Sequence, residues 1–136
     1  MATPQINVAL IGSKFMGRAH SNAYLNVAKF FDVPVHPVMH TIAARSDRDL
    51  RVFAPRWGWQ HWTSNWMDTI ANPDIGLVDV STPNHLHKDP SLAALEAGKH
   101  FLMEKPLTDT FAEAKRIVEA ADATDRVVMV EMTHRF

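Results

Sequence analysis

Cysteine is absent from the 136 residues, which excludes disulfides, thiol nucleophiles and thiolate metal sites together. No apolar run approaches the roughly 20 residues of a bilayer-crossing helix, so a membrane partner is not expected. Neither sign of charge dominates. Fourteen Lys and Arg against 15 Asp and Glu give a net charge of −1, which removes the electrostatic case for nucleic acid. The start, Met1-Ala2-Thr3-Pro4-Gln5, lacks the basic stretch and cleavage site of a signal peptide, and a cytoplasmic location is the expectation. Repeats, low-complexity tracts and linkers are also missing. What remains is 46% hydrophobic and 21% charged, the composition of one globular domain over residues 1–136.

Glycine is scarce, five in all, and two of them fall in the most informative stretch. Ile6 to Ile11 reads as a buried strand, followed by a small turn at Gly12-Ser13 and a helix opening near Phe15 or Met16. Strand, tight turn and helix N-terminus together make an anion site, because unpaired N–H groups and the helix dipole converge there. Gly12 and Gly17 occupy the first and third places of the dinucleotide fingerprint G-x-G-x-x-G, with Lys14 in the second.

Apolar and polar periodicity lays out the rest. Met16, Ala19, Ala23, Val27 and Phe30 form one stripe on the first helix, which Asp32-Val33-Pro34 ends. A second strand over Val38–Ala44 leads to a helix capped by Ser46 or Asp47, with Pro55 late in it. Gln60–Trp62 is a short third strand, and Ser64 is expected to cap a helix that stops at Asn72-Pro73. Ile75–Ser81 is a fourth strand, and Asp89-Pro90 reads as N-cap and first residue of a helix closed by Gly98. A fifth strand, His100–Met103, precedes a Thr110–Glu113 capping box. The helix it opens carries Phe111, Ala114, Ile117, Val118 and Ala121, and Arg126–Val130 is the sixth strand. Strands alternating with such helices imply right-handed βαβ units: an α/β, doubly wound parallel sheet in a three-layer sandwich.

Sheets of this kind bind ligands beyond the carboxyl ends of their strands, so the residues there carry the functional reading. Ala44-Arg45-Ser46 ends the second strand without a carboxylate. An arginine there suits the 2′-phosphate of NADP, whereas NAD calls for an acid at the ribose. A solvated surface arginine is the plain alternative, and Asp47 complicates either view. Ser81-Thr82-Pro83-Asn84-His85-Leu86-His87 follows the fourth strand. Two histidines at i, i+2 with no third ligand nearby do not make a metal site, and none is expected. Glu104-Lys105-Pro106 follows the fifth strand, where a lysine at the ligand edge can move protons if burial lowers its pKa. The methionines fall mostly in strands and helix faces as core filling, and the tryptophans lack the basic stripe of a nucleic-acid platform.

Taken together, the segments Gly12-Ser13-Lys14-Phe15-Met16-Gly17-Arg18-Ala19-His20, Val80 to His87, Ala97-Gly98-Lys99-His100-Phe101, Glu104-Lys105-Pro106-Leu107 and Met132 to Phe136 resemble motifs of the glucose–fructose oxidoreductase/inositol dehydrogenase (Gfo/Idh/MocA) family. They occur in the family's order and cover nearly the whole chain. The resemblance implies an NAD(P)-binding Rossmann domain, normally followed by a larger substrate domain that is absent from these 136 residues. It implies Lys105 beside the nicotinamide and the reacting substrate carbon, with Glu104 in the cofactor pocket. Thr82, Pro83, Asn84 and His87 would line the cofactor path, with Ser81 at its start. Typical substrates in the family are sugars, polyols and related alcohols or ketones. Lys14 replaces a glycine of the family motif, adding bulk but also an ammonium that could meet a phosphate, and Thr133 stands where asparagine is frequent.

The expected activity is hydride transfer to or from NADP, or NAD, with this chain alone lacking turnover. A non-enzymatic dinucleotide-binding or partner-interaction module is the competing reading. Loss of a covering domain also implies an apolar face and self-association.

Overall fold

The structure, a computed structural model, describes residues 2–132. Its sheet is built from β1 (Gln5–Ile11), β2 (His36–Ala43), β3 (His61–Thr63), β4 (Leu77–Val80), β5 (His100–Glu104) and β6 (Val128–Glu131). All six are parallel, in the order β3-β2-β1-β4-β5-β6. The order reverses direction between β1 and β4, so the loops after these two strands face one crevice. The helices are α1 (Phe15–Phe30), α2 (Asp47–Trp57), α3 (Met67–Ala71), α4 (Lys88–Glu96) and α5 (Phe111–Asp122). The doubly wound α/β sandwich expected from periodicity is therefore the fold observed.

Strand pleating sorts the core into two halves. Ala9, Ile11, Val78, Val80, Phe101 and Met103 face α3, α4 and α5, whose Ile70, Ala94, Leu95 and Ile117 pack on them. Val8, Leu10, Met39 and Ile42 face the other way, onto Leu50, Ala54 and Trp59 of the α2 region. Lys99 clamps the far end of the sheet: its buried ammonium donates to the carbonyls of Asn72 and Ile75, both at 2.8 Å. Burial disfavours its charge and lowers its pKa.

Caps follow local chemistry with three corrections. Ser46 is the cap of α2, accepting from the Asp49 N–H, and α2 continues past Pro55 to Trp57. Ser64 does not cap α3: Trp66 holds that position, and the side-chain oxygen of Asn65 accepts from the Met67 N–H. Asp89 does not cap α4, because a 3-10 turn over Asn84–Leu86 runs straight into the helix and leaves Asp89 in its first turn. Half of the capping box forms. Thr110 accepts from the Glu113 N–H, while the Glu113 carboxylate reaches Lys88 instead, at 3.2 Å.

The largest correction concerns α1. The stripe Met16, Ala19, Ala23, Val27, Phe30 is not the buried face: Gly17, His20 and Ser21 are, and Phe30 is 77% exposed. Phe111 and Val118 of α5 are likewise exposed, with Ile117 carrying the burial. The stripe borders an open groove between α1 and the β4–β6 half of the sheet. Met16, Ala23, Val27 and Leu102 line this groove, and Asp79 and Glu131 also line it.

Candidate functional site

The β1–α1 turn is shaped by two absent side chains. Gly12 has φ +118°, and a Cβ on it would stand 2.6 Å from the Ser81 hydroxyl oxygen and 3.0 Å from the Ser81 backbone. A Cβ on Gly17 would stand 2.1 Å from the Gly12 carbonyl oxygen, inside any permitted contact. The start of α1 can therefore lie against β1 and β4 only with glycine at both places. Ser81, at the end of β4, seals the contact from the other side, its hydroxyl donating toward the Ile11 and Gly12 carbonyls at 3.3 Å.

Lys14, the residue in the place of the second glycine, is the cap residue of α1, with φ −81°, a value open to any residue. Its side chain is exposed and makes no capping bond, and the first turn holds no acid. The leading N–H groups of α1 have no intrahelical partners and so keep their positive field. Phe15, 72% exposed, and the half-buried Ser13 and Met16 complete this rim.

Across the switch point, the turn after β4 brings a second signal. The Thr82 hydroxyl oxygen is buried with no hydrogen-bond partner among the described residues, and such a group costs free energy unless a ligand satisfies it. Pro83 and Asn84 are exposed, and the Asn84 amide donates to the Asp109 carboxylate. His87 is buried, its Nε2 2.7 Å from the Thr82 carbonyl and its Nδ1 3.0 Å from that of Pro106. Its ring thus ties the loop after β4 to the loop after β5. Pro106 follows Lys105 through a cis peptide bond, and Lys105 is exposed at the sheet's ligand edge.

Arg45 lies exposed directly beyond β2, beside the half-buried Ser46. Asp47, the carboxylate that clouded this corner, is engaged elsewhere. It accepts from Arg51 at 2.7 Å and from the Trp62 indole at 3.1 Å, and the Arg51 bond lowers its pKa. Thr133, and the rest of the final motif after Met132, lie outside the described residues.

Sequence reasoning missed a buried polar cluster beneath this edge. His20 of α1 meets one carboxylate from each of β4, β5 and β6. Its Nδ1 donates to both oxygens of Asp79, at 3.0 and 2.9 Å, and its Nε2 lies 2.9 Å from Glu131 and 3.3 Å from Glu104. Tyr24 donates to Asp79 at 2.8 Å. Burial opposes a charge on His20, but the bonds to Asp79 and Glu131, with their charges, outweigh it and raise its pKa to about 11. Asp79 is pushed up by burial and pulled down by the bonds from His20 and Tyr24. His20, Asp79 and Glu131 also have spacing a metal could accept. In this structure both ring nitrogens face carboxylates, an arrangement that an imidazolium satisfies with its two N–H groups. The cluster is an ion-pair network. Its signal in the sequence was Asp79, a carboxylate inside the apolar run Leu77–Val80, which cannot be buried without partners.

A six-stranded parallel sheet that reverses at β1/β4, with a glycine-only approach of α1 at that point, defines a dinucleotide-binding Rossmann domain. Over residues 6–132 the chain matches the family model described as "Oxidoreductase family, NAD-binding Rossmann fold", and it belongs to that Gfo/Idh/MocA family. Levoglucosan dehydrogenase of Pseudarthrobacter phenanthrenivorans is 44% identical over 131 residues, 96% of this chain and 34% of that protein. The solved levoglucosan dehydrogenase complex with NADH and levoglucosan superposes with a TM-score of 0.94 at 43% identity, over 96% of this chain and 36% of that one. The scyllo-inositol 2-dehydrogenase (NADP(+)) of Bacillus subtilis is 41% identical over 69 residues, 50% of this chain and 19% of that protein. The chain spans about a third of the length of its full-cover relatives. Among the described residues no helix is long and apolar enough to cross a membrane.

Proposed function

We propose that this chain is the cofactor-binding domain of an NAD(P)-dependent oxidoreductase acting on a sugar, polyol or related alcohol or ketone, and that it prefers NADP. The observation that carries the reading is the β1–α1 turn, where only glycine at 12 and 17 lets the start of α1 pack against β1 and β4, with the leading N–H groups of α1 left for a diphosphate. The unpartnered Thr82 hydroxyl on the facing loop supports it, as do relatives whose names and complexes involve NADH or NADP(+).

A bound nicotinamide dinucleotide supplies the hydride chemistry at its C4. The chain's own residues bind and orient. The backbone from Gly12 to Gly17, with Ser13, Phe15 and Met16 along it, receives the diphosphate, and the Lys14 ammonium adds positive charge from its outer side. Ser46 and Arg45 take the ribose end, where the guanidinium pairs with a 2′-phosphate. Ser81, Thr82, Pro83 and Asn84 wall the path toward the nicotinamide, and His87 holds that wall to the next loop. Lys105 gives or takes the proton at the substrate oxygen, and Glu104 works beneath it.

Titration with NADPH and NADH, followed by cofactor fluorescence, tests the reading. Binding of neither at about millimolar concentration, a level of roughly 4 kcal/mol, overturns it. Arg45→Ala is expected to weaken NADPH about tenfold or more, the worth of one charge-assisted hydrogen bond, and to leave NADH little changed. An equal loss for both removes Arg45 from the 2′-phosphate.

Two further parts of the proposal concern the 136 residues by themselves. They bind cofactor without turnover, since the relatives they match are about three times longer. They also self-associate through the open groove beside α1, which Val27 and Leu102 line and where the exposed Met129 is the register partner of Leu102. Light scattering is expected to show mass rising with concentration; a single monomeric mass over a hundredfold range, about 3 kcal/mol of mass action, refutes the association.

A further inference from the structure

Glu104 and Glu131 are register partners on adjacent strands, and both send carboxylates to the same side of the sheet, toward α1. Like charges placed so repel unless a cation stands between them. The group between them is His20, and Asp79 on β4 completes the set. Ionised carboxylates only accept hydrogen bonds, and both ring nitrogens face carboxylates, so a hydrogen on each nitrogen satisfies the whole set. The Glu104 carboxylate is then used twice. One oxygen lies 3.3 Å from His20 Nε2, and the other accepts from the Lys105 backbone N–H at 3.0 Å.

We propose that His20 is a positioning residue for Lys105, acting through Glu104: the helix residue fixes the Glu104 carboxylate, and that carboxylate fixes the backbone from which Lys105 projects. The relay runs Tyr24 to Asp79, His20 to Asp79 and Glu104, and Lys105 N–H to Glu104. Among the described residues, the titratable groups that face the ring are Tyr24 on α1, Asp79 on β4, Glu104 on β5 and Glu131 on β6. Lys105 is itself exposed, and what sets its place is the buried carboxylate one residue before it. The catalytic meaning rests on the hydride-transfer reading above; the relay itself does not.

The test follows the backbone nitrogen of residue 105 by 13C-detected carbonyl–nitrogen NMR, which needs no amide proton at high pH. The His20 ring carbons are followed in the same samples. In the Lys105→Met chain, where the side chain's own ammonium no longer titrates, the residue-105 nitrogen is expected to move together with the His20 ring, at one midpoint. In the His20→Gln chain that step disappears, and amide exchange at residue 105 quickens about tenfold or more, the equivalent of one lost hydrogen bond. A residue-105 nitrogen that stays still while the ring titrates overturns the relay, whether or not His20→Gln folds. Unchanged exchange in a folded His20→Gln chain overturns it too. Cofactor titration of the same samples separates the two ideas: a linked step without NADH or NADPH binding keeps the relay and sinks the enzymatic reading.

Discussion

Replacing Gly17 by alanine is expected to cost about 3 kcal/mol or more of stability and to abolish dinucleotide binding. The added carbon would lie 2.1 Å from the carbonyl oxygen of Gly12. That oxygen belongs to backbone, so relief requires α1 to move away from β1. Gly12 cannot yield, since its own N–H donates to the Ala43 carbonyl at 2.8 Å and its α-carbon lies against Ser81. A loss of this size is a large fraction of the 5–15 kcal/mol that holds a typical domain together. Gly98→Ala is the control. Gly98, unlike Gly17, has a left-handed φ, +70°, but nothing lies within 4 Å of its missing Cβ. It should therefore lose only the conformational penalty of about 1–2 kcal/mol and keep its cofactor. Urea unfolding midpoints and NADPH titration of the two variants make the comparison. Equal losses in both would mean that the close approach at the turn contributes nothing.

The contrast between these glycines shows what could be read from residue order alone. Gly12 and Gly17 were legible because a strand, a turn and a helix follow one another within about twelve residues, a local pattern with a local cause. Ser46 as a cap was legible for the same reason. The buried face of α1 was not. Periodicity finds apolar stripes, and the stripe Met16 to Phe30 exists, but the side of α1 pressed onto the sheet carries Gly17, His20 and Ser21. Ser21 can be buried because its hydroxyl donates to the Gly17 carbonyl and accepts from the Trp59 indole. His20 can be buried because strands far along the chain supply its three carboxylates. Nothing within twenty residues of His20 announces Glu104 or Glu131. Long-range compensation of this kind is invisible to a window, and it inverts the helix's apparent polarity. The Arg45 corner lies between these extremes: its cation was legible, while the diversion of Asp47 to Arg51 and Trp62 depended on β3 arriving beside it.

The same compensation sets the second large effect, a loss of stability on the alkaline side of neutrality. His20 keeps its proton in the folded chain up to about pH 11, whereas in the unfolded chain an imidazole loses it near 6.5. Below 6.5 both states hold the proton and the stabilisation is fully present. Above it the folded state binds a proton that the unfolded state has lost, so stability falls with rising pH until the folded pKa is passed. The slope from this one group is about 1.4 kcal/mol per pH unit, or about 3 kcal/mol between pH 7 and 9. Among the other shifted groups, Asp79 is raised by burial and acts in the same sense from its ordinary 3.8 upward. Burial and the neighbouring His61 lower His40, whose effect lies below 6.5. Burial raises Tyr24, whose effect begins above its ordinary value near 10. Burial lowers Lys99, which works in the opposite sense below its ordinary 10.5 and trims the slope if it reaches this far down. Urea midpoints measured at pH 7, 8 and 9 should therefore fall steadily in the natural chain. In His20→Gln the starting stability is lower and the fall is shallower, because the imidazole no longer holds a proton that the unfolded chain has released. A flat line in the natural chain would mean that His20 is neutral, and three carboxylates would then converge on a ring with only one hydrogen to offer them.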